Sequence, residues 1–267
     1  MQANQKEGDP QIAIVEALES FTLLGPDGRQ VETSEYLQFI SPAISHGAMN
    51  TVVRARFSGE MDAKIASILR PYEEGALNCW WMIGPNSLYP EKIEARLRTL
   101  GFELEHEAFG LMMPTNHELQ LAVEPRVSVE KVTKESLIDY LRAARDGREP
   151  SASYRAYFEW LMKLQGEKLE IFLSRVDGEP AGTGLLQLFG QSANLVSGYV
   201  RPKFRGRGAY RALIKARVES LRKRNIPRAV VLSKTQTSAP ILMRMGFTKV
   251  CELRTLELKL SKVRWET

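Results

Sequence analysis

Apolar residues change their period along this chain, and each change marks an element. "VEALESFTLLG" predicts a short helix, "SPAISHGAMN" a loop and "NTVVRARF" a strand. In "SGEMDAKIASILRPYEEG", Met61, Ile65, Ile68 and Leu69 fall on one helical face, with Ser58 placed to cap. "LNCWWMI" is an unbroken apolar run of the buried-strand kind, ended by "GPNS". "YPEKIEARLRTLGF" predicts a helix, with Pro90 near its start and Gly101 just past its end. "ELEHEAFGLMMP" then supplies one or two strands, and "TNHELQLAVEP" reads as a connector.

A second segment begins near Arg126. "RVSVEKV" predicts a strand, and "TKESLIDYLRAARDG" a helix opened by a capping box, with Thr133 and Ser136 as candidate caps. "SASYRAYFEWLMKLQGE" predicts another helix. "LEIFLSRVDGEPAGTGLLQLFGQSANLVSGYV" reads as three strands, turned at Asp177-Gly178 and Gly190-Gln191. "GRGAYRALIKARVESLRKRN" carries Leu213, Ile214, Val218 and Leu221 as the apolar stripe of a long helix. "RAVVLS" predicts a buried strand, "SAPILMRM" a short helix stopped by Gly246, and "FTKVCELRTLELKL" two closing strands.

The two segments echo each other. Each runs strand, helix, buried strand, helix, Gly-Phe, strand, with Gly101-Phe102 in the first and Gly246-Phe247 in the second. The order predicts an α+β fold, a mixed sheet flanked by helices, with residues 1–125 a smaller degenerate copy of residues 126–267. The 267 residues, 43% of them hydrophobic, suffice for two modest domains. No apolar run is long enough to span a bilayer, and the opening "MQANQKEGDP" is polar, so a cytoplasmic protein is the expectation. Cys79 and Cys251 are too few for a disulfide scaffold, and His46, His106 and His117 have no metal-type spacing. No metal site is expected, and these five residues read as structural unless they converge in space. The net charge of +5 is mild. Its distribution is not: from Arg201 to Arg228 the basic residues crowd and Glu219 is the lone acid. That pattern suits either a solvated helix face or a site for an anion.

The densest chemistry lies at "VSGYVRPKFRGRGAYRALIKARV". A strand passes through a glycine-rich turn into a helix. The first turn of a helix leaves N–H groups unpaired, and the helix dipole adds positive potential there. Glycines let the backbone approach a ligand, and phosphate is the natural guest. Arg205 and Arg207 add forked donors. The stretch lacks the Gly-Lys-Ser/Thr of a Walker loop. A dinucleotide fingerprint starting at Gly206 would need glycine at Arg211 and an acid near Ile226. Both nucleotide-binding readings therefore fall.

These residues resemble the signature of the GNAT superfamily of acyl-CoA N-acyltransferases. That signature is a strand ending Val-x-Pro, then two residues, then Arg/Gln-x-x-Gly-x-Gly/Ala opening a helix. Here Val200-Arg201-Pro202 precedes Arg205-Gly206-Arg207-Gly208-Ala209-Tyr210, with Tyr210 where the family has a small residue. The run "RAVVLSKTQTSAPILMRMGF" matches the family's strand, helix and Gly-Phe, and the element order from 127 to 260 follows the family fold. The resemblance implies that the amides of the 205–210 loop hold the pyrophosphate of coenzyme A. It implies that Gly198, Tyr199 and Val200 carry the pantetheine arm and an oxyanion-binding N–H, and that acetyl-CoA is the acyl donor. The helix "SASYRAYFEWLMKLQ" stands where the family shapes its substrate pocket, with Tyr154, Tyr157, Phe158 and Trp160 to line it or to pack. The N-terminal counterpart of the loop, "RARFSGEMDAK", keeps Gly59 but gains Glu60 and Asp62, so that half is expected to bind no coenzyme A.

Two departures bear on catalysis. The family's tyrosine, which protonates the leaving thiolate, falls at Leu242, and its cofactor-binding asparagine falls at Thr235. Ser197, Tyr199, Tyr210 and Cys251 are the replacement acids on paper. Glu170 and Asn194 are candidates for contact with substrate or a relay water, although a strand glutamate usually points outward. The expected activity is transfer of an acetyl or short acyl group from acyl-CoA to a primary amine on a small molecule or peptide. The alternative is an acyl-CoA sensor that kept the fold without turnover. Nucleic-acid binding by the basic helix ranks last, because few aromatics interleave its charges. No membrane partner is expected, and a homodimer is compatible with the sequence.

Overall fold

The strand alternation of the C-terminal half becomes a meander because its turns are chemically suited to tight reversal. In a computed structural model, which describes residues 10–20, 22–117, 119 and 124–261, the strands β6 (Val127–Lys131), β7 (Leu169–Val176), β8 (Glu179–Phe189) and β9 (Ser192–Val200) pair antiparallel in succession. Asp177 and Gly178 both take positive φ, 51° and 82°, as a two-residue hairpin of matching twist requires. Helices α4 (Leu137–Ala144) and α5 (Ala152–Lys163) lie between β6 and β7 in the chain. After β9 come α6 (Ala209–Lys223), β10 (Arg228–Lys234), α7 (Ser238–Arg244) and β11 (Thr248–Leu258). The predicted stripe of α6 is its buried face: Leu213, Ile214, Val218 and Leu221 are fully enclosed.

The N-terminal half runs α1 (Pro10–Glu19), β1 (Arg29–Glu32), β2 (Leu37–Ile40), β3 (Thr51–Val53), α2 (Met61–Gly75), β4 (Cys79–Ile83), α3 (Pro90–Thr99) and β5 (Glu103–Pro114). Four local expectations are corrected. Ser58 does not cap α2: its N–H and hydroxyl donate to the Glu35 carboxylate, and Glu60 stands at the N-cap with φ 48° and no side-chain cap bond. The capping box of α4 is only half formed. Ser136 Oγ accepts from the Thr133 N–H, and α4 starts only at Leu137. "ELEHEAFGLMMP" is one twelve-residue strand. The two closing strands are a single β11, which bulges between Lys249 and Cys251 and between Thr255 and Leu256 instead of turning.

Among the described residues, eleven strands join one sheet in the order β1-β2-β3-β4-β11-β5-β10-β9-β8-β7-β6. Read outward from the β11/β5 seam, the order is symmetric. β3 runs parallel to β4 as β9 runs parallel to β10, and each half lends its last strand to the other. β5 pairs antiparallel with β10 over seven residues, and β11 pairs with β4 over five. The cores follow this exchange. Leu111 and Met113 of β5 belong to the core under α6, and Leu256 of β11 belongs to the core under α2 and α3. Residues 126–267 alone would therefore leave β10 with a bare edge and lose two fully buried side chains, each worth about 2 kcal/mol. We expect that fragment to give no soluble monomer by sedimentation, and residues 1–125 supplied as a second chain to restore it. Among the described residues, no helix is long and apolar enough to cross a membrane.

Candidate functional site

Parallel strands with a helix crossover stay paired only while their backbones remain in register. β9 and β10 pair for just three residues, Ser192–Asn194 against Arg228–Val230. Beyond that point β9 bulges. Ser197 takes φ 52°, and the register against β8 jumps between the Thr183–Tyr199 and Leu185–Val196 pairs. The two strands diverge and open a cleft of about 560 Å³. Ser197 and Gly198 lie exposed in it, so backbone groups that a regular ladder would use face a ligand space instead.

β9 leads directly into the glycine turn. Phe204 is buried and anchors the loop, with Arg207 above its ring at 5.8 Å, and Arg205 Nε donates back to the Val200 carbonyl at 3.3 Å. Gly206 and Gly208 take φ 77° and 83°, and Gly208 is the N-cap of α6. Ala209 is buried against the core, which holds the helix end in place. The first-turn amides of α6 have no intrahelical acceptors, and Arg205 and Arg207 stand exposed beside them. Tyr210 turns away from the loop into the cleft, where its Cε2 lies 3.2 Å from the position a Cβ on Gly198 would occupy.

A profile of the Acetyltransferase (GNAT) family matches residues 134–247, which contain this strand, turn and helix. The chain carries a GNAT domain. The fold as a whole resembles a GCN5-related N-acetyltransferase from Kribbella flavida (TM-score 0.66, 14% identity, 92% of this chain and 93% of that one). It also resembles a functionally unknown conserved protein from Staphylococcus epidermidis (TM-score 0.68, 15% identity, 88% and 95%). A tandem GNAT protein from the clavulanic acid biosynthesis pathway aligns over 99% of this chain and 98% of its own (TM-score 0.62, 12% identity). At these identities the likeness is one of fold. No curated protein matches the chain.

The cleft of the GNAT domain collects some of the expected residues and leaves others out. Ser197, Gly198 and Tyr210 line it, as do Tyr154, Tyr157 and Phe158 of α5. Trp160 does not; its indole N–H donates to the Leu24 carbonyl. Val200 is buried in the core, and Tyr199 pairs with Thr183 outside the cleft lining. Thr235 lines a separate cavity of about 320 Å³ with Glu107, Phe109 and Arg254, and its N–H is tied to the Glu107 carbonyl. Leu242 is fully buried and Cys251 is nearly so. Glu170 does not point outward: it is 1% exposed and held by Lys131, Ser220 and Arg224. Burial opposes its ionisation, but those three donors keep its pKa below the ordinary carboxylate value. Its role is structural.

The histidines are the main correction. His46 and His106 both line the cleft, on either side of Trp80, with ring centroids 5.4 and 5.3 Å from the indole. This wall comes entirely from the N-terminal half. Gly47 permits it, since a Cβ there would stand 2.0 Å from Trp80 Cδ1. His46 Nδ1 accepts from the Ala48 N–H, while the buried Nδ1 of His106 has no partner among the described residues. Burial lowers both pKa values below 6.5; Lys234 lowers His106 further, and Glu105 partly opposes both shifts. Both rings are thus neutral bases at pH 7. Asn194 adds an unpartnered Oδ1, 1% exposed, at the cleft floor. Arg217 and Lys234 also line the cleft and were not singled out by sequence. Nothing in the spacing of His46, Trp80 and His106 shows that three loops and strands meet at one wall.

The N-terminal half repeats the strand geometry with side chains across the joint. Arg54, φ 59°, follows β3 much as the Ser197 bulge interrupts β9. There the buried Glu19 carboxylate receives Arg54 Nε at 3.1 Å and Asn86 Nδ2 at 2.9 Å, so side chains bridge the ends of β3 and β4. Glu60 occupies the left-handed N-cap position that Gly208 holds in α6, placing a carboxylate where a phosphate would approach.

Proposed function

We propose that this protein transfers an acetyl or short acyl group from acyl-CoA to a primary amine. The observation that carries the reading is the continuity of one path. The amide-lined turn at Gly206–Tyr210 opens from the end of β9, and β9 leads straight to the splayed cleft. A diphosphate held by the turn can send its arm along Val200–Gly198 to place a thioester carbonyl beside the bulged backbone. The amine then approaches from the His46–Trp80–His106 wall. Attack forms the new C–N bond, the C–S bond breaks, and the amine proton must leave. His106 is the base, a neutral ring on the cleft wall. Tyr210 is the acid for the departing thiolate, in place of the residue at Leu242.

Calorimetry with acetyl-CoA, beside thiol release from pooled amines, tests the reading. Binding without release across the panel would favour the sensor alternative, which the buried Leu242 supports. The base has its own signature. Only neutral His106 accepts a proton, so kcat/KM should fall as pH drops through its folded pKa, giving an acid limb centred below 6.5. His106→Gln should lower kcat about 100-fold and remove that limb. A pH profile that keeps the limb in the variant would move the role to another group.

A further inference from the structure

Buried charges in this chain come with partners. Glu19 is met by Arg54, and Glu170 by Lys131 and Arg224. Arg217 breaks the pattern. It is 1% exposed, and among the described residues the guanidinium donates only to neutral carbonyls: Nε to Leu213 at 3.1 Å, and Nη1 to Leu185 at 3.1 Å and Val196 at 3.4 Å. Its ionisable neighbours are the hydroxyls of Tyr210 and Tyr140, and no carboxylate lies within ion-pair distance among the described residues. Burial lowers its pKa to about 10, so it stays cationic at pH 7. An unpaired buried cation is expensive, and a role confined to bridging carbonyls does not require the charge.

The remaining nitrogen faces the site. Nη2 makes none of those bonds. It stands 3.6 Å from the Cβ position on Gly198, with the Tyr210 hydroxyl 3.9 Å from the same point, and Arg217 lines the cleft. Lys234 adds a second positive charge, while no Asp or Glu is among the residues lining the cleft. That balance repels polycationic acceptors and leaves a donor pair, Nη2 and the tyrosine hydroxyl, open beside the reacting carbonyl.

We propose that one of the two reactants carries a free carboxylate and that Arg217 receives it. The enzyme is thereby specific either for an amino-acid acceptor or for the CoA half-thioester of a dicarboxylic acid. This rests on the acyl-transfer reading above. The chemistry of the step is unchanged: the amine nitrogen bonds to the thioester carbon, the thiol leaves with a proton, and the carboxylate is a spectator that fixes position.

The test compares matched pairs on the full chain, after calorimetry has shown that coenzyme A binds. In one arm acetyl-CoA is compared with malonyl- and succinyl-CoA on a single simple amine. In the other, acetyl-CoA is supplied with phenylalanine or leucine and with the same amines lacking the carboxylate. Both kcat/KM and calorimetric affinity are read, so a slow enzyme still reports. One arm should favour the carboxylate by at least about 30-fold. Arg217→Met should collapse that ratio, and Arg217→Lys should retain part of it. Coenzyme A binding with no carboxylate preference in wild type overturns the proposal and leaves acyl transfer standing. So does an Arg217→Met variant that weakens both members of each pair equally. Absence of coenzyme A binding removes both readings together.

Discussion

Gly208→Val should reduce coenzyme A affinity by about 100-fold or more in calorimetry, with far-UV circular dichroism unchanged. Gly208 sits at φ 83°, where a β-branched residue is strained by about 1–3 kcal/mol. A Cβ there would also meet Glu124 Cγ at 3.0 Å, so neither the loop nor its neighbour can stay in place. The displaced amides are those at the start of α6, and two charge-assisted hydrogen bonds of about 1.5–3 kcal/mol each are enough for the expected loss. Gly208 is half-buried and its Cβ would stand 3.9 Å from the buried Val127, so the unchanged circular dichroism is the control that the fold survives. Undiminished affinity in a folded variant would show that the turn holds no phosphate.

Tyr210→Phe should lower kcat about 100-fold while acetyl-CoA affinity changes by less than about threefold. The hydroxyl stands over Gly198 in the cleft, so only a step at the reacting centre should feel its loss. Burial raises its pKa and Arg217 partly opposes this, leaving the phenol protonated at neutral pH and able to donate. The ring remains in the phenylalanine variant, so packing on the bulge is kept. A fall in affinity with kcat unchanged would assign Tyr210 to cofactor packing and return the acid role to Ser197 or water. Single-turnover thiol release separates the two outcomes.

The loop was legible because its chemistry is local. Strand, glycine pair and helix are adjacent in sequence, and positive φ at Gly206 and Gly208 is what glycine permits at such a joint. The hairpin at Asp177-Gly178 and the stripe of α6 were legible for the same reason. The caps were not. Ser58 found its partner in Glu35, a neighbour that the helix pattern does not contain, and of the Thr133–Ser136 box only one bond formed. Thr235 illustrates the limit on carrying positions over from a resemblance: a matching count from Gly246 placed it at the cofactor, but its strand end turns it into the other cavity.

By itself the amino-acid sequence determined the type of most elements after residue 50, the repeat of two similar halves and the glycine turn that opens α6, because each depends on local pattern; β1 and β2, four residues each, carried no such pattern. Only the tertiary structure decided that the halves exchange β5 and β11, that His46, Trp80 and His106 form one wall of the cleft, and that Arg217 is buried with no acid beside it among the described residues. Those outcomes depend on which strand lies beside which. Strand neighbours distant in the chain are chosen by the burial of whole faces, a sum that no short stretch of sequence contains.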